Sequence, residues 1–187
     1  MAVFSWPLVH LVFRYRALGT EHLPAEGGYV LAADHVSNLD PWPLAFALWP
    51  KRFLRFMAKS ELFWFPLGPL IKAGGAFRVR RGQADLEAIE TAVGLARAGH
   101  VIAMFPEGTR RRKGMRKRFQ AEAHTGAARI AIEAGVPLVP AGIKGTNGLR
   151  RLEPWRVRYG APIELSDDAV ETTTRLMAAI HELEASL

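Results

Sequence analysis

The sequence predicts an α/β fold, a single domain with a mostly parallel sheet flanked by helices. Short apolar runs alternate along the chain with segments of helical period, the order that strand–helix–strand crossovers leave in a sequence. The chain has 187 residues, 49% of them hydrophobic and 23% charged, which suffices to bury one sizeable core and is too short for two ordinary domains. Neither an internal repeat nor a low-complexity linker interrupts it.

The elements follow in order. Tyr29–Ala33 is an apolar run after the turn-forming Gly27-Gly28 and reads as a strand. Asp40-Pro41 then opens a helix over Pro41–Trp49, with Asp as N-cap and Pro in the first turn. Phe53–Ala58 and Gly75–Val79 read as strands, and between them lies Glu61–Ile71, apolar, with Pro66 and Pro69 placed to kink or end any helix. Gln83–Ala98 carries Leu86, Ile89 and Val93 at helical spacing and stops at Gly99. His100–Phe105 is a buried strand halted by Pro106, and Ala121–Ala134 an alanine-rich helix closed by Gly135. Pro137–Ile143 is a further strand, in which Pro140 is expected to break the ladder. Trp155–Tyr159 makes a short strand, and Asp168–Leu187 a terminal helix capped by Ser166 or Asp167.

Composition narrows the chemistry. The chain has no cysteine, so thiol nucleophiles, thiolate zinc sites and a disulfide scaffold are excluded. Its 25 Lys and Arg outnumber 18 Asp and Glu, for a net charge of +7. Seven of those cations lie between Arg110 and Arg118 with no acidic residue among them, so the rest of the chain is neutral. A concentrated basic run suits an anionic partner such as phosphate head groups, a phosphorylated substrate or nucleic acid, unless it is only a solvated loop. Nucleic acid ranks low because the run lacks interleaved aromatics and the chain lacks a recognition motif. At the N-terminus, the apolar stretch Ala2–Phe13 is about a dozen residues, short of the roughly 20 needed to span a bilayer. It does not read as a signal peptide. It either lies in a membrane interface or packs on the core, and Trp6, Arg14 and Arg16 favour the interface.

Ligands in a parallel sheet collect beyond the carboxyl ends of the strands, so the residues just after each strand matter most: Asp34-His35, Arg78–Arg81, Pro106–Arg110 and Lys144. The first group opens the segment DHVSNLDPW. His35 and Asp40 would stand about 140° apart on a regular helix, and they can meet only if the chain turns at Ser37-Asn38. An imidazole oriented by a carboxylate is a general base. The alternative is a helix-capping Asp beside a polar turn residue. Second comes FPEGTR, Phe105–Arg110, where Pro106 halts the strand, Gly108 permits an anion-binding bend and Arg110 adds a bidentate fork, or else the segment is an ordinary turn. A third block, Gly74–Gly82, ends in Arg80 and Arg81, placed for an anionic substrate or for solvent. Val136–Ile143, apolar and proline-bearing, is wall rather than catalyst. A Gly-x-Ser-x-Gly elbow, a His-Glu-x-x-His pair, a phosphate-loop lysine motif and a Gly-x-Gly-x-x-Gly fingerprint are all missing, and the other histidines are scattered, so no metal site is expected.

These four blocks, in this order, resemble the glycerolipid acyltransferase family, best known for its 1-acylglycerol-3-phosphate acyltransferases. His35 and Asp40 match the family's His-x4-Asp motif, Gly75–Arg81 its glycine-led strand ending in arginine, Phe105–Arg110 its Phe-Pro-Glu-Gly-Thr-Arg without a change, and Val136–Pro140 its fourth motif. The resemblance runs from about Tyr29 to Ile163. It departs at Asp34, where the family often has asparagine, and at Arg80, where many members carry an acid. It implies a glycerol-3-phosphate acyltransferase-like fold, with residues 1–28 as a membrane-interface segment, 29–165 as the acyltransferase domain and 166–187 as a C-terminal helix. The activity it implies is transfer of a fatty acyl group from a thioester to the free hydroxyl of 1-acyl-glycerol-3-phosphate, forming phosphatidic acid. Catalysis would fall to His35 and Asp40, and substrate binding to Arg81, Glu107, Gly108, Thr109 and Arg110. The implied partners are a lysophospholipid acceptor, acyl-CoA or acyl-carrier protein as donor, and the cytoplasmic face of the cell membrane, with no bound cofactor and no nucleic acid.

Overall fold

The structure, a computed structural model, describes residues 9–59, 61, 63–79, 85–106, 124–148 and 151–187. The described residues form a seven-stranded sheet of β1 (Arg16–Leu18), β2 (Tyr29–Ala33), β3 (Leu54–Lys59), β4 (Ala76–Val79), β5 (Val101–Met104), β6 (Leu138–Lys144) and β7 (Arg156–Tyr159). Their order is β1-β7-β6-β2-β5-β3-β4. The five strands from β6 to β4 run parallel, β7 runs antiparallel to β6, and β1 runs parallel to β7. The helices are α1 (Pro41–Phe46), α2 (Leu67–Ala73), α3 (Asp85–Arg97), α4 (Gly126–Ala134) and α5 (Ala169–Ala185).

Central strand β2 is wholly buried, and its alternation divides the core. Tyr29, Leu31 and Ala33 face one layer with Leu44 of α1, while Val30 and Ala32 face the other with residues of α3, α4 and α5. Helix α5 lies so close to β6 that a Cβ on Gly142 would stand 2.6 Å from the Glu184 amide nitrogen, so glycine is required there. On the α1 face, two phenols satisfy carbonyls of a helix only six residues long. Tyr15 donates to the Pro43 carbonyl at 2.7 Å and Tyr159 to the Leu44 carbonyl at 3.1 Å. Burial pushes both phenols well above the ordinary tyrosine pKa.

Several sequence expectations are corrected. A strand missing from the reading, β1, lies in the stretch assigned to the N-terminal segment. At three residues, Arg-Ala-Leu, it is too short to show a period. Pro140 does not break its strand, since β6 runs through it in register with Ala32. The Pro140 carbonyl accepts from Gly160 N at 2.9 Å, so the side of the strand that lacks an N–H faces the chain just past the end of β7, and the pairing with β2 is untouched. Pro69 does not stop a helix either. It sits in the first turn of α2, where backbone N–H groups have no helical partner. The cap of α5 is Asp168, whose Oδ1 accepts from Val170 N at 2.8 Å, rather than Ser166 or Asp167. Val9 and Phe13 pack against Phe46 and Trp155, with Phe13 stacked on Trp155 at 4.3 Å, so this part of the N-terminal stretch spends its apolar face on the core while Leu11 stays 80% exposed.

Candidate active site

The site grows from the exit of β2. This strand lies between β5 and β6, and all three point their carboxyl ends the same way. The chain leaving β2 turns to α1 on one face, while the chain leaving β5 leads to α4 on the other. Where successive connections diverge to opposite faces, a parallel sheet opens a crevice. His35 and Phe105 stand just past the ends of β2 and β5, their rings stacked at 4.3 Å with 24° between planes.

Residues 35–40 form a turn closed around the Asp40 carboxylate. Oδ2 accepts from His35 Nδ1 at 2.9 Å and from the backbone amides of Val36 and Ser37, both at 2.8 Å. Oδ1 accepts from the Thr146 hydroxyl at 2.6 Å. Asp40 is fully buried, and its carboxylate makes no capping bond to α1. Here is the physical answer to the 140° problem: the turn, closed also by Asp40 N donating to the Ser37 carbonyl at 3.3 Å, brings histidine and aspartate onto one side. Every group facing the carboxylate is a donor, so it acts as acceptor and the Nδ1 of His35 carries the proton. Nε2 is then the basic nitrogen. It makes no hydrogen bond among the described residues, and the side chain is 20% exposed. A buried carboxylate, a fixed tautomer and an accessible basic nitrogen are the parts a general base needs.

Of the other sequence candidates, Arg81, Glu107, Gly108, Thr109 and Arg110 lie outside the described residues, as do the basic run 110–118 and Arg80. The first two residues of the FPEGTR segment are described. Phe105 stacks on His35, and the Pro106 carbonyl accepts from His124 N at 2.7 Å. Arg78 and Lys144, expected just past their strands, are residues of β4 and β6 themselves. Sequence reasoning missed Thr146, which lies two residues beyond β6. Its position after a strand at the carboxyl edge was the available signal.

Comparison with known proteins identifies the family and the fold. The family model described as Acyltransferase matches residues 14–144. The chain is 30% identical over 168 residues to the 1-acyl-sn-glycerol-3-phosphate acyltransferase of Bacillus subtilis (strain 168), covering 87% of this chain and 80% of that protein. It is 34% identical over 154 residues to the protein of the same name from Streptococcus pneumoniae (strain ATCC BAA-255 / R6), covering 79% of this chain and 55% of that one. Against some relatives, then, the chain spans about half their length. In fold it is similar to the crystal structure of the 1-acyl-sn-glycerophosphate (LPA) acyltransferase PlsC from Thermotoga maritima, with a TM-score of 0.64, 24% identity, and coverage of 91% of this chain and 72% of that one. A family match that takes in strands β1 to β6 and the histidine–aspartate turn at their carboxyl edge, together with a relative 30% identical over most of both chains, leads to one conclusion: the chain belongs to the acyltransferase family.

Proposed function

We propose that this protein moves a fatty acyl group from an acyl thioester to the free hydroxyl of 1-acyl-glycerol-3-phosphate, forming phosphatidic acid. The observation that carries the proposal is the 2.9 Å bond from His35 Nδ1 to the buried Asp40, which leaves Nε2 of a partly exposed ring as the basic nitrogen. Nε2 takes the hydroxyl proton as the glycerol oxygen attacks the thioester carbonyl. The tetrahedral intermediate collapses to the ester, the carbon–sulfur bond breaks, and the imidazolium returns the proton to the leaving thiolate. Direct transfer needs no covalent enzyme intermediate, in keeping with a chain that has neither cysteine nor a serine elbow. Backbone N–H groups at the Glu107-Gly108 turn stabilise the oxyanion, each such donor being worth about 3 kcal/mol. Arg81 and Arg110 hold the acceptor phosphate, while Glu107 and Thr109 position the glycerol. Support for these assignments is the FPEGTR sequence and the attachment of its first residue to the His35 ring.

The donor is acyl-CoA or acyl-carrier protein, since both present a thioester. The acceptor is a lipid, and the protein works peripherally at the cytoplasmic face of the membrane. That placement rests on the apolar N-terminal residues, the exposed Leu11 and the basic run 110–118, which suits anionic head groups. Among the described residues no helix is long and apolar enough to cross a membrane.

The test is an acyl-transfer assay of the purified protein, offering lysophosphatidate and glycerol 3-phosphate in turn against both donors. Transfer to lysophosphatidate is expected, and His35→Ala should lower it by roughly 10²–10⁴-fold. Near-normal turnover in the His35→Ala protein would overturn the mechanism. Transfer to glycerol 3-phosphate alone would overturn the acceptor.

A further inference from the structure

We infer that Thr146 is a positioning residue for the acyl-transfer step, acting on His35 through Asp40. This inference rests on the reading of His35 as the general base. The Thr146 hydroxyl donates to Asp40 Oδ1 at 2.6 Å across 106 positions of sequence, and both residues are buried. The two carboxylate oxygens have unequal company. Oδ2 takes three donors, all from residues 35–37, whereas Thr146 is the donor to Oδ1 among the described residues. A carboxylate held at one oxygen by its own turn can still swing about that oxygen. A donor on the other oxygen, brought in by a neighbouring strand, removes that freedom and fixes the line from Oδ2 to Nδ1. Thr146 therefore sets the direction in which Nε2 faces the substrate.

The backbone is built to hold the hydroxyl in place. Strand β6 lies beside β2, so the turn after β6 stands next to the turn after β2. Gly145, between β6 and Thr146, has φ +92°, and a Cβ there would lie 2.1 Å from the Pro154 carbonyl oxygen. Both constraints demand glycine, and together they set where the next residue stands. Chemically, Thr146 has one hydroxyl proton and gives it to the carboxylate, so it is not placed to touch substrate.

The test compares Thr146→Val, which keeps the shape and removes the donor, with Thr146→Ser, which keeps the donor. Valine should lower kcat by about 10- to 100-fold with KM for both substrates little changed, and serine should restore most of the rate. The low-field proton resonance of His35 Nδ1–H, read by NMR without substrate, should move in the valine protein and stay in the serine protein. Should the valine protein fail to fold, Thr146→Ala is read in the same way. Wild-type kcat with an unmoved resonance would overturn the inference, as would equal losses in the valine and serine proteins. His35→Ala separates the two ideas. If it is inactive while Thr146→Val is normal, only the role of Thr146 falls, and if it stays active, the reading of His35 falls.

Discussion

The two ends of the parallel sheet are each organised by one charged side chain, and they use it in opposite ways. At the carboxyl end, Asp40 gathers four donors from the exits of β2 and β6. At the amino end, Arg52 donates to the carbonyls of Pro24 at 2.9 Å, Gly99 at 2.8 Å and Gly27, just before β3, β2 and β5 begin. It also stands 5.2 Å from the centre of the Tyr29 ring. Every partner of Arg52 is a backbone carbonyl or the buried Tyr29 ring, so that network ties three loops together and reaches no accessible side chain. One partner of Asp40 is a partly exposed imidazole whose second nitrogen makes no hydrogen bond among the described residues. A charge whose partners are loop carbonyls contributes stability, whereas a buried one that passes its influence to a partly exposed group can contribute chemistry.

Breaking each hub should separate rate from stability. Asp40→Asn has the largest expected effect on rate: an amide cannot hold the same tautomer of His35, and kcat should fall by about 10⁴-fold. The amide also presents an NH₂ to donors, so chemical denaturation should show a loss of roughly 1–3 kcal/mol. A wild-type rate would mean that the carboxylate does not govern the imidazole. Arg52→Ala comes next. Three carbonyls lose a charged donor, with an expected cost of about 2–3 kcal/mol in urea unfolding, while kcat of the folded protein stays normal. A fall in kcat without a fall in stability would erase the distinction between the two ends.

The smallest effect concerns pH and sharpens the contrast at the amino end. Burial pushes the Tyr29 phenol up to about 12, with the Arg52 charge opposing. A folded-state pKa above the unfolded value of 10 means that the stabilisation is complete below pH 10 and is lost as pH rises through about 12. All three tyrosines of the chain are shifted the same way, so phenolate absorbance should appear together with alkaline unfolding rather than before it. In Arg52→Ala the opposing charge is gone, and Tyr29 should resist ionisation further while the protein remains folded. Phenolate appearing near pH 10 in the native protein would contradict its burial.

Much of the fold was legible because its signals are local. The bounds of β2 coincide with the expected strand, since an unbroken apolar run between glycines and a polar turn has few other uses. Gly135 ends α4 in the left-handed conformation, where glycine carries no Cβ penalty. Strand β1 escaped because three residues hold no pattern, and it is defined by pairing with β7, 140 positions away along the chain. Arg52 escaped because an arginine beside a strand reads as solvated until the three loops it joins are seen together. At the site, the types His35 and Asp40 were legible but their contact was not, because a capping role for Asp40 fitted the local sequence equally well.

The sequence alone determined the alternation of elements, the four motif blocks and the chemistry their side chains can perform, all of which depend on residue identity and near-neighbour spacing. Only the tertiary structure decided that Asp40 turns its carboxylate away from the helix it precedes, that Phe105 lies flat on the imidazole, and that Thr146 closes the carboxylate from the next strand. Those contacts depend on strand order. It is the placing of β2 between β5 and β6 that brings three distant segments to one crevice, and strand order is set by the packing of both faces of the sheet rather than by any short stretch of chain.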